Sequence, residues 1–249
     1  MNRLEPWQTE SISNIVESLE NTEMKDLANL IVKNLPEYWY TVPASSSGKY
    51  HPLMSIGEGG LFRHSLAVET FMEHFLTIDQ YKNKFSSQER DALKIAALFH
   101  DGEKHGKSDS GGHTIFEHPL CMAKTIQGYK GTIDNVSDEI IDFIADCISS
   151  HMGQWTTDKR SPNVMLPTPQ TLGQELVHLA DYLASRKNIE IHFEQNVKFE
   201  KPTKEKYVFT FGKHKGKSFM DVVQKDKGYI AWLKENYHRE PLKSFLKEV

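Results

Sequence analysis

The chain has 249 residues, 38% of them apolar and 26% charged, with a formal net charge of −4 and two cysteines. That length holds one large domain or a medium one with an appendage, and the composition is that of an ordinary globular chain, neither disordered nor fibrous. Cys121 and Cys147 show no CxxC spacing and exclude a disulfide framework, while the lack of a signal-peptide core or membrane-length apolar run points to a cytoplasmic protein with no membrane partner.

Residues 8–34 read as a single helix, closed by Pro36 and followed by the loop TVPASSSGKYHPLMSIGEGG. LFRHSLAVETFMEHFL then places Leu61, Ser65, Val68, Met72 and Phe75 on one helical face with His64 beside them. Ser86 and Glu89 form a capping box for the next helix, which carries Leu93, Ala97 and His100. DEIIDFIADCISSH puts Ile140, Ile144, Cys147, Ile148 and His151 along one stripe. QTLGQELVHLADYLASRK repeats the pattern through Leu172, Leu176, Leu179 and Leu183, with Asp181 among them. Up to about residue 187 the chain is helix after helix, which predicts a helical bundle.

The pattern changes after that. IEIHFEQ alternates Ile189, Ile191 and Phe193 with polar residues, YVFTF alternates Tyr207, Phe209 and Phe211, GKHKGK reads as a turn, and GYIAWLKEN returns to helix. From Glu194 to the end there are 13 Lys+Arg against 8 Asp+Glu, whereas residues 1–193 hold 17 against 26. A basic tail on an acidic body is expected of two modules with different partners.

The histidines and aspartates carry the chemistry. A lone His-Asp pair at a helix end is ordinarily a cap and a solvated side chain, and His151 alone is an ordinary half-buried histidine. Asp181 is harder to dismiss, because a carboxylate on an apolar helix is costly to bury unless it is paired or bound to a metal. Taken together, His64, His100, Asp101, His118, His151 and Asp181 lie on or beside successive helical segments, most of them near the apolar stripe. They are therefore expected to converge inside the bundle. Imidazole and carboxylate donors suit divalent ions such as Mn, Fe, Co, Zn or Mg.

At these residues the sequence resembles the HD superfamily of metal-dependent phosphohydrolases, whose signature of His, His-Asp and a distant Asp is matched by His64, His100, Asp101 and Asp181. Lys104 matches the HD-x-x-K extension, with Gly102-Glu103 in place of the frequent Ile-Gly pair. EHPLCMA and SSHMGQW place His118 and His151 where two-metal members, the HD-GYP phosphodiesterases and HD-containing bacterial exoribonucleases, have ligand histidines. The segment PASSSGKYHP…GGLFRH is also similar to those exoribonucleases. The GYP signature and an OB-fold domain are not seen.

The resemblance implies a mainly α, HD-type bundle over residues 1–190 (core about 40–190), a connector at 191–204, and a small basic α+β module at 205–249. It further implies two divalent ions held by His64, His100, Asp101, His118, His151 and Asp181. Asp101 would bridge them, and Lys104 would meet a phosphate oxygen. The reaction implied is hydrolysis of phosphodiester bonds in nucleic acid or oligonucleotides by metal-activated water. His51, His113 and Arg186 are candidates for substrate contact, each with an equal claim to a structural role, and His105 stands with them. The rivals are a nucleotidase or dNTP hydrolase of the same superfamily and a non-enzymatic, phage-type binding protein.

FGKHKGK followed by Tyr-x-x-Trp-Leu resembles a small domain at the C-terminus of some exodeoxyribonucleases. Its Lys213, Lys215 and Lys217 form a basic cluster able to meet a nucleic-acid backbone, and a protein partner is also open to it. Phe211, Phe219, Tyr229 and Trp232 are expected to form its core.

Overall fold

The computed structural model describes residues 5–45, 51–108, 113–189, 203–237 and 241–249. The expected helix over 8–34 is two helices, α1 (Pro6–Glu17) and α2 (Thr22–Asn34). The break is imposed from a distance. Asp91, buried on a later helix, accepts hydrogen bonds from the backbone N–H of Glu20 (2.9 Å) and Asn21 (2.8 Å) and from Asn21 Nδ2 (2.7 Å). Bonds to a charged acceptor are among the stronger ones, so a tertiary contact overrides local helix propensity here.

Next come α3 (Gly60–Thr77), the single turn α4 (Asp79–Lys82) and α5 (Ser87–Phe99), the last with the expected Ser86–Glu89 capping box. They are followed by α6 (His118–Gln127), α7 (Asp138–Ser149), and α8 (Leu172–Ala184), which is capped by Thr171 and Gln174. Helix α3 is the centre of the bundle and packs on both α5 and α8, while α7 lies against α5, α6 and α8. Its first half is buried on every side, from Gly60 through Glu69, not on one face alone. Gly60 lets it start close to the preceding loop, since a Cβ there would lie 2.4 Å from the Ser55 carbonyl oxygen.

Trp39, Phe62 and Phe99 anchor the core beside α3, with Trp39 meeting Phe62 edge to face at 5.1 Å. Each fully buried large apolar side chain of this kind contributes about 1.5–3 kcal/mol. One polar group intrudes. Glu69 of α3 is buried near Lys94 and Glu73, and burial pushes its carboxyl up to about 7.

Helix α8 is rotated from its expected register. Its buried face is Gly173, Leu176, Val177, Ala180 and Ala184, leaving Leu179 exposed and Leu183 half-buried. The small residues face inward because neighbouring side chains fill their space; a Cβ on Gly173 would lie 2.7 Å from the Phe143 ring. Leucine spacing alone misjudged which stripe does the packing.

The C-terminal region forms a second hydrophobic cluster of its own from Phe209, Phe219, Val222, Ile230, Leu233, Leu242, Phe245 and Leu246. These residues come largely from α9 (Phe219–Lys225), α10 (Lys227–Asn236) and α11 (Leu242–Leu246). The alternation at Tyr207–Phe211 yields one isolated antiparallel bridge, Val208 to Ser218, across a turn whose Gly212 and Gly216 have φ of 69° and 83°. Phe219 is core as expected, whereas Phe211 and Tyr229 pack at its edge. Trp232 is 53% exposed, because α10 turns Ile230 and Leu233 inward instead. Apart from Ile189, the expected IEIHFEQ strand and most of the connector fall on 190–202, outside the described residues. No described helix is long and apolar enough to cross a membrane.

Candidate metal centre

Five elements each deliver one or two polar side chains to a single point between α3, α5, α6, α7 and α8. His64 lies in the buried half of α3, His100 ends α5 with Asp101 next to it, His118 opens α6, His151 follows α7, and Asp181 lies on α8. All six expected residues are therefore brought together.

Three of the imidazoles are aimed by the same local device. His100 Nδ1 donates to the Ala97 carbonyl at 2.8 Å, His118 Nδ1 to Ile115 at 2.7 Å, and His151 Nδ1 to Ile148 at 2.8 Å. A proton fixed on Nδ1 leaves Nε2 as a lone pair, pointed into the centre. There the carboxylate of Asp101 faces two ways. Its Oδ1 lies 3.0 Å from His118 Nε2 and 3.7 Å from His151 Nε2, while Oδ2 lies 3.4 Å from His100 Nε2 and 3.9 Å from His64 Nε2. Asp181 Oδ1 lies 3.0 Å from His64 Nε2 and 3.7 Å from His100 Nε2. Lys104 Nζ donates to Asp101 Oδ2.

Short separations do not make these pairs hydrogen bonds. Nε2 of His64, His100 and His118 and Oδ1 of Asp101 are all buried and lack an aligned partner. Orphaned polar atoms of this kind are costly, and four of them converging on one point is the pattern a cation resolves. Three overlapping triads have donor atoms within 4.8 Å of one another: His64–His100–Asp101, His100–His151–Asp181 and Asp101–His118–His151. The residues present thus fit a divalent metal, with imidazole nitrogen and carboxylate oxygen as donors.

The electrostatics agree with that donor chemistry. Burial pushes His64 down and His151 down to about 3, which keeps both neutral at neutral pH. Burial works the same way on His100, but Asp101 and Asp181 outweigh it and hold its pKa up, so a proton and a cation compete for His100 Nε2. Burial would raise both carboxyls, yet Lys104 and His100 hold Asp101 well below the usual range, and the surrounding histidines do so for Asp181.

Around this centre, Tyr38 organises the turn after Asp101. Its hydroxyl donates to the Gly106 carbonyl at 2.7 Å and accepts from the His105 N–H at 3.0 Å, and the His105 ring stacks on it at 4.9 Å. His105 therefore holds the turn. Gly102 is required by packing, since a Cβ would lie 2.9 Å from both Leu35 and Met122. Glu103 accepts from Thr125 at 2.6 Å.

The remaining candidates divide. His51 lies against the centre, its ring 5.4 Å from that of His64, and burial first, then His64 and Lys104, push it down to about 3. His113 is exposed on the surface, its Nε2 3.4 Å from Lys215 Nζ, and is not brought to the centre. Arg186 lies along α8, with its guanidinium 4.2 Å over the Tyr182 ring. In the C-terminal cluster Lys213 pairs with Asp226 at 2.7 Å, which offsets part of its charge, while Lys217 is exposed.

One residue escaped the sequence reading. His178 Nδ1 donates to the His151 carbonyl at 2.7 Å, and its ring fills the space left by Gly153, where a Cβ would lie 2.2 Å from it. Its spacing of three before Asp181 on the same helix was the available signal.

The exodeoxyribonuclease X-like C-terminal family matches residues 209–237, which carry the glycine turn, the three lysines and α10. No curated protein and no solved structure matches the chain. The HD domain family matches residues 61–186, a span that runs from the start of α3 to the end of α8 and contains all six converging side chains. With half of its length in that match, and with a buried His/Asp cluster that can hold a metal, the chain belongs to the HD domain family of metal-dependent phosphohydrolases.

Proposed function

We propose that the chain hydrolyses phosphodiester bonds in nucleic acid or oligonucleotides, using two divalent cations. His64, His100, Asp101 and Asp181 would hold one, and Asp101, His118 and His151 the other. The observation that carries this reading is the two-sided presentation of Asp101. Its two oxygens face separate pairs of imidazoles, at 3.0 and 3.7 Å on one side and 3.4 and 3.9 Å on the other. Bound cations supply Lewis acidity toward a phosphoryl oxygen and acidify water.

The chain's own groups do the rest. The neutral imidazoles of His64 and His151 and the ionised carboxylates offer lone pairs without first losing protons, whereas His100 must give one up. Lys104 is a compact positive charge held beside Asp101, where it can neutralise a non-bridging phosphate oxygen. Asp181 has 18% of its side-chain surface exposed, against 4% or less for the other five, so a substrate approaches from its side. The nucleic-acid part of the proposal is supported by Lys213, Lys215 and Lys217 and by the family match over them.

The test is metal stoichiometry combined with a substrate panel of ssDNA, RNA, cyclic dinucleotides and dNTPs. Protein loaded with Mn is expected to hold two ions per chain, falling to about one in His118→Ala and His151→Ala. Asp101→Ala is expected to lose hydrolysis and most metal while keeping its helical circular dichroism. One ion in the parent, with both histidine variants equally active, overturns the two-cation reading in favour of a mononuclear nucleotidase.

A further inference from the structure

The centre is nearly closed, and an aromatic cluster adjoins its most exposed ligand candidate. Asp181 is the ligand candidate that reaches solvent, and its neighbour Tyr182 is 36% exposed. Trp155, from the loop after His151, is 45% exposed and stacks on Tyr182 with ring centroids 6.2 Å apart and planes inclined at 14°. His178 fills the corner between them, 6.1 Å from Trp155 and 6.3 Å from Tyr182. Because His178 is bonded to the His151 carbonyl, the aromatic cluster is tied to one side of the centre through His151 and to the other through α8. Arg186 adds a positive charge over Tyr182 and is steadied there by a 3.1 Å bond from Nε to the Tyr182 carbonyl.

We infer that Trp155, backed by Tyr182, is a stacking platform for one unpaired nucleobase of the substrate, beside the phosphate held at the metal centre. The inference rests on the phosphodiesterase reading of that centre. It goes further in fixing the substrate as single-stranded at this point, because a base stacked within a duplex has no free face to offer. Three observations select a nucleobase over other apolar groups. Trp155 is 45% exposed, and planar rings gain most from an open aromatic face. The aromatic cluster adjoins, through His151 and Asp181, a site whose donors fit cations that bind phosphate. Its one formal charge is a guanidinium, complementary to a phosphate ester and unfavourable for a cationic ligand.

The experiment uses the full chain carrying Trp232→Phe, so that the remaining tryptophans are Trp155 and the core residues Trp7 and Trp39. Tryptophan fluorescence is titrated in EDTA with a phosphorothioate oligo(dT) and with the same backbone lacking bases, and hydrolysis of their ordinary phosphate counterparts is followed with Mn. Oligo(dT) is expected to quench the fluorescence and the base-free strand to leave it unchanged. Trp155→Ala is expected to raise KM for oligo(dT) roughly 5- to 150-fold with little change in kcat, the range for one lost base stack. Trp155→Phe should recover most of that loss, which separates stacking from a folding defect.

Equal quenching by both strands, or an equal KM shift for both in Trp155→Ala, overturns the inference. Base-dependent quenching in a chain that cleaves no phosphodiester keeps the platform and overturns the phosphodiesterase reading alone.

Discussion

Replacing Glu69 by glutamine should make the protein more stable, and increasingly so as the pH rises. Glu69 is 7% exposed in the middle of α3, and burial raises its carboxyl to about 7, with Glu73 adding to the effect and Lys94 opposing it. The ordinary value for a glutamate in an unfolded chain is 4.5. A folded-state pKa raised above the unfolded one means that the folded chain prefers the protonated form. Its favourable contribution is complete below about pH 4.5 and is lost as the pH rises through about 7.

The difference between the two states therefore costs about 1 kcal/mol at pH 5.5, where folding must take up a proton, and about 3 kcal/mol at pH 8.5, where the buried group is ionised. Glutamine mimics the protonated carboxyl at every pH and removes that cost. Urea unfolding followed by helical circular dichroism, in EDTA across pH 5.5–8.5, measures the gap between parent and variant directly. At pH 8.5 the variant should melt several degrees higher, at about 2–4 °C per kcal/mol for a chain of this size. A gap that does not change with pH, or a variant less stable at pH 8.5, would refute the reasoning.

Three further outcomes follow from the site and the C-terminal module. Gly153→Ala places a Cβ 2.2 Å from the His178 ring at a residue with φ of 61°, so about 1–3 kcal/mol of stability should be lost and kcat should fall as His178 and His151 shift, read by thermal melting and by diester hydrolysis. Removing residues 205–249 should leave cleavage of a small chromogenic phosphodiester intact. Changing Lys213, Lys215 and Lys217 to glutamine should weaken oligonucleotide binding and flatten its log–log salt dependence by roughly 0.7–0.9 per lost phosphate contact. An unchanged salt slope points the cluster toward a protein partner.

The helical bundle and the six converging side chains were legible because both rest on short-range rules. Helical periodicity sets which residues face inward, and histidine or aspartate on an apolar helix stands out against its neighbours. What was hidden depends on contacts between distant segments. The break between α1 and α2 is made by Asp91, some 70 residues away along the chain. The rotation of α8 follows from Phe143 packing into the space left by Gly173. Trp155 and Tyr182 are unremarkable apart in sequence, and His178 became part of the surroundings only through a backbone carbonyl on another element. His113 fits the sequence pattern as well as His51 does, yet it is exposed and lies beside Lys215, while His51 lies against His64.

The bond from Nδ1 to the carbonyl three residues earlier, made by His100, His118 and His151 alike, has a consequence for how a cation is chosen. Each ring is locked to its own turn, so it moves as a rigid extension of its helix and has little freedom to swivel toward a smaller ion. The gap the rings enclose is then set by the spacing of α5, α6 and α7, which is fixed by side chains well away from any donor atom. A mutation in the interhelical packing, such as a methylene removed at Ile144 or Met122, could alter ionic-radius preference without touching a ligand. Selectivity among divalent ions would in that sense be a property of the whole bundle's dimensions.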